Sequence, residues 1–392
     1  MAPLAEFGLY LLAFLGHFSL AVWLFNRLHA FPLPRPLLKL IERLLLLTAA
    51  SVLVAYAVRW WQVRPEIWPQ RVLDSSGLVD PWLLYLAVAW LASVLVVPLW
   101  LLPKLLPPPC PALAESSSHT VDMTARIGFA PVAGTEAQLF LRVPGNQLLK
   151  IAVERKTLLL PRLPRGLDGL TIAHLSDLHM TGQLTRAFYD VVVDETNALT
   201  PDLIVMTGDI LEKEPCLPWI EATLGRLRAR YGNYFIVGNH EYRLRDVQQL
   251  RHALVAAGLC NLGSRALRVP LGDEQVLLAG NERPWFGSAP ELPQDDEIFR
   301  ILLSHSPDQL GWAKQHRFDL MLAGHNHGGQ IRLPYLGALI APSLYGSRYA
   351  GGLYDEPPVV LHVSRGVAGI HPIRLNCPPE ISLLTLRSPQ PR

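Results

Sequence analysis

Residues 203–209 read LIVMTGD, an apolar run from Leu203 to Met206 that ends in Thr207, Gly208 and Asp209. A short apolar run closed by a glycine and a carboxylate reads as a buried strand emptying into a polar loop. The same pattern recurs along the chain. Leu170–Leu175 leads to Asp177 and His179 in HLSDLH, and Tyr234–Val237 leads to Gly238, Asn239, His240 and Glu241 in IVGNHE. Ile301–Leu303 leads to His305 in LLSHS, and Leu320–Leu322 leads to Gly324, His325 and His327 in LAGHNH. Val276–Ala279 is a further run of this kind, and helical-period stretches lie near Leu184–Leu199 and Val247–Ala257.

Strands alternating with helices predict an α/β domain with buried sheets. In such sheets, side chains that bind ligands gather at the carboxyl ends of the strands, where neighbouring loops converge. Five strand ends here deliver acids, imidazoles or an amide. A mixed oxygen and imidazole set suits Mn²⁺, Fe or Zn²⁺ better than Ca²⁺ or a thiolate site. Glycine before Asp209, Asn239 and His325 lets the chain turn sharply as it leaves each strand. His174 precedes the Asp177 pair on its strand and reads as a packed side chain.

Upstream the texture differs. The chain of 392 residues has a mean hydropathy of +0.23 and only 17% charged residues, and its apolar surplus lies mostly before residue 107. Residues 7–25 and 82–102 are uncharged and about the length of a bilayer span. Residues 37–58 reach that length if Lys39, Glu42 and Arg43 snorkel at the boundary. We therefore expect three transmembrane helices within residues 1–106, a Pro/Ser linker over 107–120, and an α/β domain over 121–392. The first residues, MAPLAEF, lack a basic region, and no small-residue cleavage site follows, so the first span reads as a retained anchor. Arg27, Arg35, Lys39, Arg43 and Lys104 outnumber Arg59, Arg64 and Arg71 on the other side, which places the C-terminal domain in the cytoplasm by positive-inside counting. A multi-pass protein of the cell (inner) membrane is the expectation.

The downstream motifs together resemble the calcineurin-like metallophosphoesterase superfamily over roughly residues 167–386. Within it, GHNHGGQIRLP (residues 324–334), RYAGGLY (348–354) and NCPPEI (376–381) look most like the bacterial membrane-associated phosphodiesterase branch. The resemblance implies a four-layer α/β/β/α sandwich and a binuclear metal centre, with Mn favoured over Fe or Zn. One ion would take Asp177, His179, Asp209 and His327, and the second Asp209, Asn239, His305 and His325, with Asp209 shared. His240 would be the catalytic imidazole, polarising the phosphate or protonating the leaving oxygen. Superfamily members often orient it with an Asp three residues beyond the shared Asp, a position held here by Glu212. Glu241 reads as a loop-fixing acid, and Arg348, Arg365 and Arg374 suit either substrate phosphates or ion pairs.

The expected activity is hydrolysis of a phosphodiester or phosphomonoester, with a phospholipid-like or nucleotide-linked lipid substrate and membrane lipid as neighbour. A non-catalytic metal-binding scaffold or a membrane sensor on the same fold is the competing reading. The net charge of +2 and the lack of a basic stripe argue against nucleic acid. GDILEK lacks the Asp-Arg-Gly run expected of a protein Ser/Thr phosphatase. Cys110, Cys216, Cys260 and Cys377 form no CxxC pair or disulfide-dense framework.

Overall fold

The computed structural model describes residues 3–62, 81–294 and 297–389, which fall into two compact units, Met1–Pro108 and Pro109–Arg392. Arg64 and Arg71, used in the orientation count, lie outside the described residues.

The first unit contains three helices: α1 (Pro3–Leu28), α2 (Arg35–Gln62) and α3 (Pro81–Leu105). Among the described residues, Phe7–Leu28 and Leu84–Leu105 are long and apolar enough to cross a membrane, at mean hydropathies of 1.8 and 2.2. The third expected span, 37–58, falls within α2 and stands as a proposal. α1 and α3 touch through small residues. A Cβ on Gly16 would lie 1.7 Å from the Ala89 carbonyl oxygen, so only glycine permits this approach. Ala13, Leu86 and Ala89 are buried at the contact, and Trp90 Nε1 donates to the Leu9 carbonyl at 2.9 Å.

The second unit carries two large sheets. One has seven strands in the order Leu113–Asp122, Lys150–Leu159, Glu380–Arg387, Thr171–Leu175, Leu203–Thr207, Asn233–Ile236 and Cys260–Asn261. The last four run parallel to one another. The other has six, in the order Gly352–Glu356, Val359–Val363, Leu320–Ala323, Phe299–Ser304, Glu274–Asn281 and Ala266–Leu271. Its four central strands are parallel, and both its edges are antiparallel.

Alternation along each strand sorts side chains into layers. Leu203 and Val205 join Ile172, Leu278, Ile301, Leu303, Leu320 and Leu384 in the core between the sheets. Ile204 and Met206 face the other way, against Phe188 and Val192 of the Arg186–Ala198 helix. On the second sheet, Leu302, Met321 and Leu361 turn outward onto Leu310 and Ala313 of the Leu310–Gln315 helix. The result is helix, sheet, sheet, helix, as the resemblance implies.

One expected boundary is corrected. The expected linker over 107–120 is not all linker: Leu113–Asp122 is a strand paired antiparallel with Lys150–Leu159. It lies at the sheet's edge with both faces largely exposed, so its small polar residues, SSSHT, suit the strand as well as a loop. The compact unit accordingly begins at Pro109 rather than 121.

Candidate metal centre

Each candidate ligand follows the carboxyl end of a parallel strand. Asp177, His179, Asp209 and Asn239 come from the seven-stranded sheet, and His305, His325 and His327 from the six-stranded one. Five of the seven have left-handed backbone: Asp177 (φ 54°), His179 (41°), Asp209 (54°), His325 (73°) and His327 (50°). Such conformations cost about 1–3 kcal/mol each outside glycine and persist where the surroundings over-determine them. Here the loops are laced together. The N–H groups of Asp177 and His179 donate to the carbonyls of Gly208 and Asp209 at 3.0 and 2.8 Å. The His325 N–H donates to the Asp177 carboxylate at 3.0 Å, and the His240 N–H to Asp209 Oδ1 at 2.8 Å.

The side chains converge. His179 Nε2 lies 3.1 Å from His327 Nε2 and 3.5 Å from Asp209 Oδ2, and His327 Nε2 lies 3.4 Å from Asp177 Oδ1. On the other side of Asp209, His305 Nε2 lies 3.2 Å from Asp209 Oδ2, 2.9 Å from Asn239 Oδ1 and 3.1 Å from His325 Nδ1. Asp177, His179, Asp209 and His327 thus form one group, and Asp209, His305 and His325 a second, each with ligand atoms within 4.8 Å of one another. Ligands on one ion at about 2.1 Å stand roughly 3.0–3.4 Å apart, close to most of these contacts, while His179 Nε2 and Asp177 Oδ1 stand 3.9 Å apart.

Protons and partners favour the same fit. His305 Nδ1 donates to the Thr207 carbonyl at 2.7 Å, so a cation at Nε2 would take the place of the proton that Asp209 otherwise holds there, and His327 Nδ1 lies 3.1 Å from the Ala368 carbonyl and 3.3 Å from Arg374 Nη2. Burial, helped by His305, holds His325 well below the usual imidazole pKa, and burial with His179 and Arg374 does the same for His327. Burial opposes charge on His305 too, but the Asp209 carboxylate outweighs it and lifts its pKa to about 9. Burial would raise Asp209, yet His305 and His240 hold it well below the carboxylate range. The donor set fits two divalent cations sharing Asp209.

His240 stands beside this group, with Nε2 3.9 Å from Asp209 Oδ2. Its Nδ1 contacts Glu212, so the longer acid does reach the imidazole. Burial would raise the Glu212 pKa, but the imidazoles of His179, whose Nδ1 lies 3.6 Å away, and His240 bring it down to about 2.

Two side chains beside the ligand groups, Arg243 and Trp285, were not marked by the sequence, whereas Glu241 was. Glu241 was expected to fix its loop; it accepts the backbone N–H groups of Asp209, Ile210, Leu211 and Gly238 at 2.5–3.0 Å. Arg243, three residues after His240, places Nη1 3.0 Å from His240 Nδ1. Nothing in the sequence marked it beyond that spacing. Trp285 packs against His305 and His325, its ring 5.5 and 5.1 Å from theirs. Of the three arginines left open, Arg374 is fully buried and donates to the carbonyls of His327 and Arg365 at 2.9 and 2.7 Å. Arg365 is ion-paired with Glu154 and Glu380, and Arg348 with Glu356 at 2.8 Å.

The calcineurin-like phosphoesterase family matches residues 170–329. The metallophosphoesterase YkuE of Bacillus subtilis is 32% identical over 238 residues, covering 58% of this chain and 82% of the relative. Phosphodiesterase YaeI of Escherichia coli is 29% identical over 220 residues, with coverages of 55% and 81%. The UDP-2,3-diacylglucosamine pyrophosphatase LpxG of Chlamydia muridarum is 27% identical over 297 residues, with coverages of 57% and 86%.

Proposed function

Since this chain belongs to the calcineurin-like metallophosphoesterases and is a phosphoric ester hydrolase, we propose that it is a membrane-anchored, binuclear enzyme cleaving a phosphodiester or pyrophosphate bond of a lipid-linked substrate. The observation that carries the binuclear reading is Asp209, shared between two ligand groups drawn from both sheets. In this reading Asp177, His179, Asp209 and His327 hold one ion, and Asp209, Asn239, His305 and His325 the other. Two such ions supply Lewis-acid polarisation of the phosphoryl group and water of lowered pKa. His240 is the proton donor to the leaving oxygen: Glu212 holds its Nδ1 side, and its Nε2, 3.3 Å from Arg243 Nη1 and 3.9 Å from Asp209 Oδ2, faces the ligand groups. The mixed oxygen and imidazole donors suit Mn²⁺, Fe or Zn²⁺, of which Mn²⁺ is the one proposed.

Two observations support a lipid-linked substrate. Phe7–Leu28 and Leu84–Leu105 have membrane-spanning length and hydropathy. The segment just after His327 exposes Ile331 (43%), Leu333 (39%) and Tyr335 (91%), an apolar stretch a few residues from the ligand groups. LpxG, a relative, is named for a diacylated nucleotide-sugar substrate. The scaffold and sensor alternatives have no feature of the site in their favour. Three spans and a cytoplasmic catalytic domain complete the proposal, and a C-terminal reporter active only outside the cytoplasm would reverse that orientation.

The direct test is metal analysis of the purified full chain with parallel assays on a phosphomonoester, a phosphodiester and a diacylated nucleotide-sugar diphosphate. Nearly two transition-metal equivalents are expected, with preference for the lipid-linked diphosphate. One equivalent or fewer under metal-replete conditions would sink the binuclear reading.

A further inference from the structure

Directly beneath the ligand groups, between the two sheets, runs an unbroken line of buried polar side chains that the reaction does not use. Lys156 Nζ lies 3.2 Å from His362 Nε2, and His362 Nδ1 lies 2.9 Å from His174 Nδ1. His174 Nε2 lies 2.9 Å from Thr207 Oγ1, and Thr207 Oγ1 lies 2.8 Å from Ser176 Oγ. Ser176 Oγ in turn faces the Asp177 carboxyl, which it helps hold down against the upward push of burial. A Cβ on Gly324 would fall 1.8 Å from Ser176 Oγ and 2.5 Å from Asp177 Oδ2, so glycine is needed for the two to meet there. His362, His174, Ser176 and Thr207 are fully buried, and Lys156 is 7% exposed.

The protons in this line are fixed by elimination. A lysine ammonium only donates, so His362 Nε2 accepts. A neutral His362 then carries its proton on Nδ1 and donates it to His174 Nδ1. His174 must carry its proton on Nε2 and give it to Thr207, whose own hydroxyl proton goes to Ser176. Ser176 has one proton left, and it points to Asp177. Burial is the largest influence on both imidazoles and lowers both, with Lys156 acting the same way, which keeps them neutral. Glu380 Oε1 and Ser382 Oγ also approach His362 Nε2, each at 3.5 Å, the limit of a useful hydrogen bond and longer than the lysine contact.

We propose that Lys156, His362, His174, Thr207 and Ser176 form a one-way hydrogen-bond relay that positions Asp177 for its divalent ion. Thr207 is the node. Its hydroxyl serves the Asp177 side through Ser176, while its carbonyl accepts from His305 Nδ1 on the other side. Removing the hydroxyl alone therefore disturbs one ion and spares the other. The relay itself is independent of the binuclear reading, but its effect on metal binding rests on that reading.

The experiment has two arms on the full chain in lipid. In the first, ¹⁵N-histidine magic-angle-spinning NMR, assigned with His174→Gln and His362→Gln, reads the tautomers. Opposite tautomers are expected, with His362 protonated at Nδ1 and His174 at Nε2. The reverse pair, matching tautomers or an imidazolium at either position would overturn the relay. In the second arm, wild type, Thr207→Val and Thr207→Ser are titrated with Mn²⁺ alone and followed by EPR. Thr207→Val should weaken one of two sites about 10–100-fold, the usual cost of losing a group that orients a ligand. A mononuclear signal would then appear where wild type shows a coupled pair, and Thr207→Ser should restore the coupling. Two unaltered sites, or loss of both, in a folded Thr207→Val protein would refute the positioning role. A wild type that binds fewer than two Mn²⁺ would instead refute the binuclear reading and leave the tautomers to judge the relay.

Discussion

Two polar clusters are buried between the sheets of the catalytic unit, and they differ in whether they close on themselves. In the lower one, Lys156 pairs with Glu154 at 2.5 Å and Glu380 at 3.2 Å, while Arg365 pairs with Glu380 at 3.0 Å and with Glu154. Two cations meet two carboxylates, and the charges cancel. In the upper one, the Asp177 and Asp209 carboxylates meet imidazoles, backbone N–H groups and a serine hydroxyl. Their imidazoles face one another with nitrogen against nitrogen at 3.1 Å, an arrangement that satisfies at most one lone pair per contact. A buried charge cluster that balances internally needs no visitor. One whose carboxylates are met by imidazoles crowded nitrogen to nitrogen, with five left-handed residues around them, is built for a cation.

The contrast is broken most severely by removing the shared charge. Asp209→Asn takes away the only carboxylate common to both ligand groups. The expected outcome is loss of metal and of measurable hydrolysis together, read by metal analysis and turnover on one preparation. Retention of both ions would mean that the two groups do not share this ligand.

A smaller loss is expected at His240, which stands beside the ligand groups rather than inside them. His240→Ala should keep both metals and lower the rate roughly 10²–10⁴-fold, the range for one general acid. The loss should shrink for p-nitrophenolate esters, whose leaving group needs little protonation. Equal losses for good and poor leaving groups would replace the proton-donor role with phosphate polarisation.

Smaller again is the effect of Glu212, which acts through His240. Glu212→Gln keeps the side-chain length and removes the charge against Nδ1. A fall of about 10–100-fold in turnover is expected. An additive loss in the double variant with His240→Ala would show that Glu212 acts elsewhere.

How much of this was legible in the sequence follows from the physics of each part. The seven candidate ligands and His240 could be singled out because strand ends are local: an apolar run, a glycine and a polar residue sit side by side in the chain. The layer order was legible for the same reason, through alternation such as Leu203, Ile204, Val205 and Met206. The Leu113–Asp122 strand was not, because an exposed edge strand has no apolar face to betray it. Nor were the partners of Arg365 or the chain from Lys156 to Ser176. Glu154, Glu380 and His362 lie far from one another in sequence, and only the stacking of the two sheets joins them. His174 reads from sequence as a packed side chain, and it is packed, but in a polar line rather than an apolar one.

The least change in turnover is expected in the closed cluster, where Glu380→Gln tests the contrast through stability. Burial would raise the Glu380 pKa, but Lys156 and Arg365 hold it well below the ordinary carboxylate value. A carboxylate depressed in the folded state contributes stability that is fully present above its unfolded pKa, about 4.3. That contribution is lost as pH falls through the folded value. The stability gap between wild type and Glu380→Gln should therefore stay level from pH 7 to pH 5, at about 3–5 kcal/mol for a broken buried pair. It should narrow only below about pH 4.3. The metal site should respond earlier, because His305, whose pKa Asp209 lifts to about 9 against burial, takes up a proton in competition with its cation well above the carboxylate range. Acidification of wild type should thus release metal while the chain is still folded, as read by metal retention and denaturant melts at each pH. A gap that narrows between pH 7 and pH 5, or metal that leaves only on unfolding, would show that the two clusters answer to protons as one.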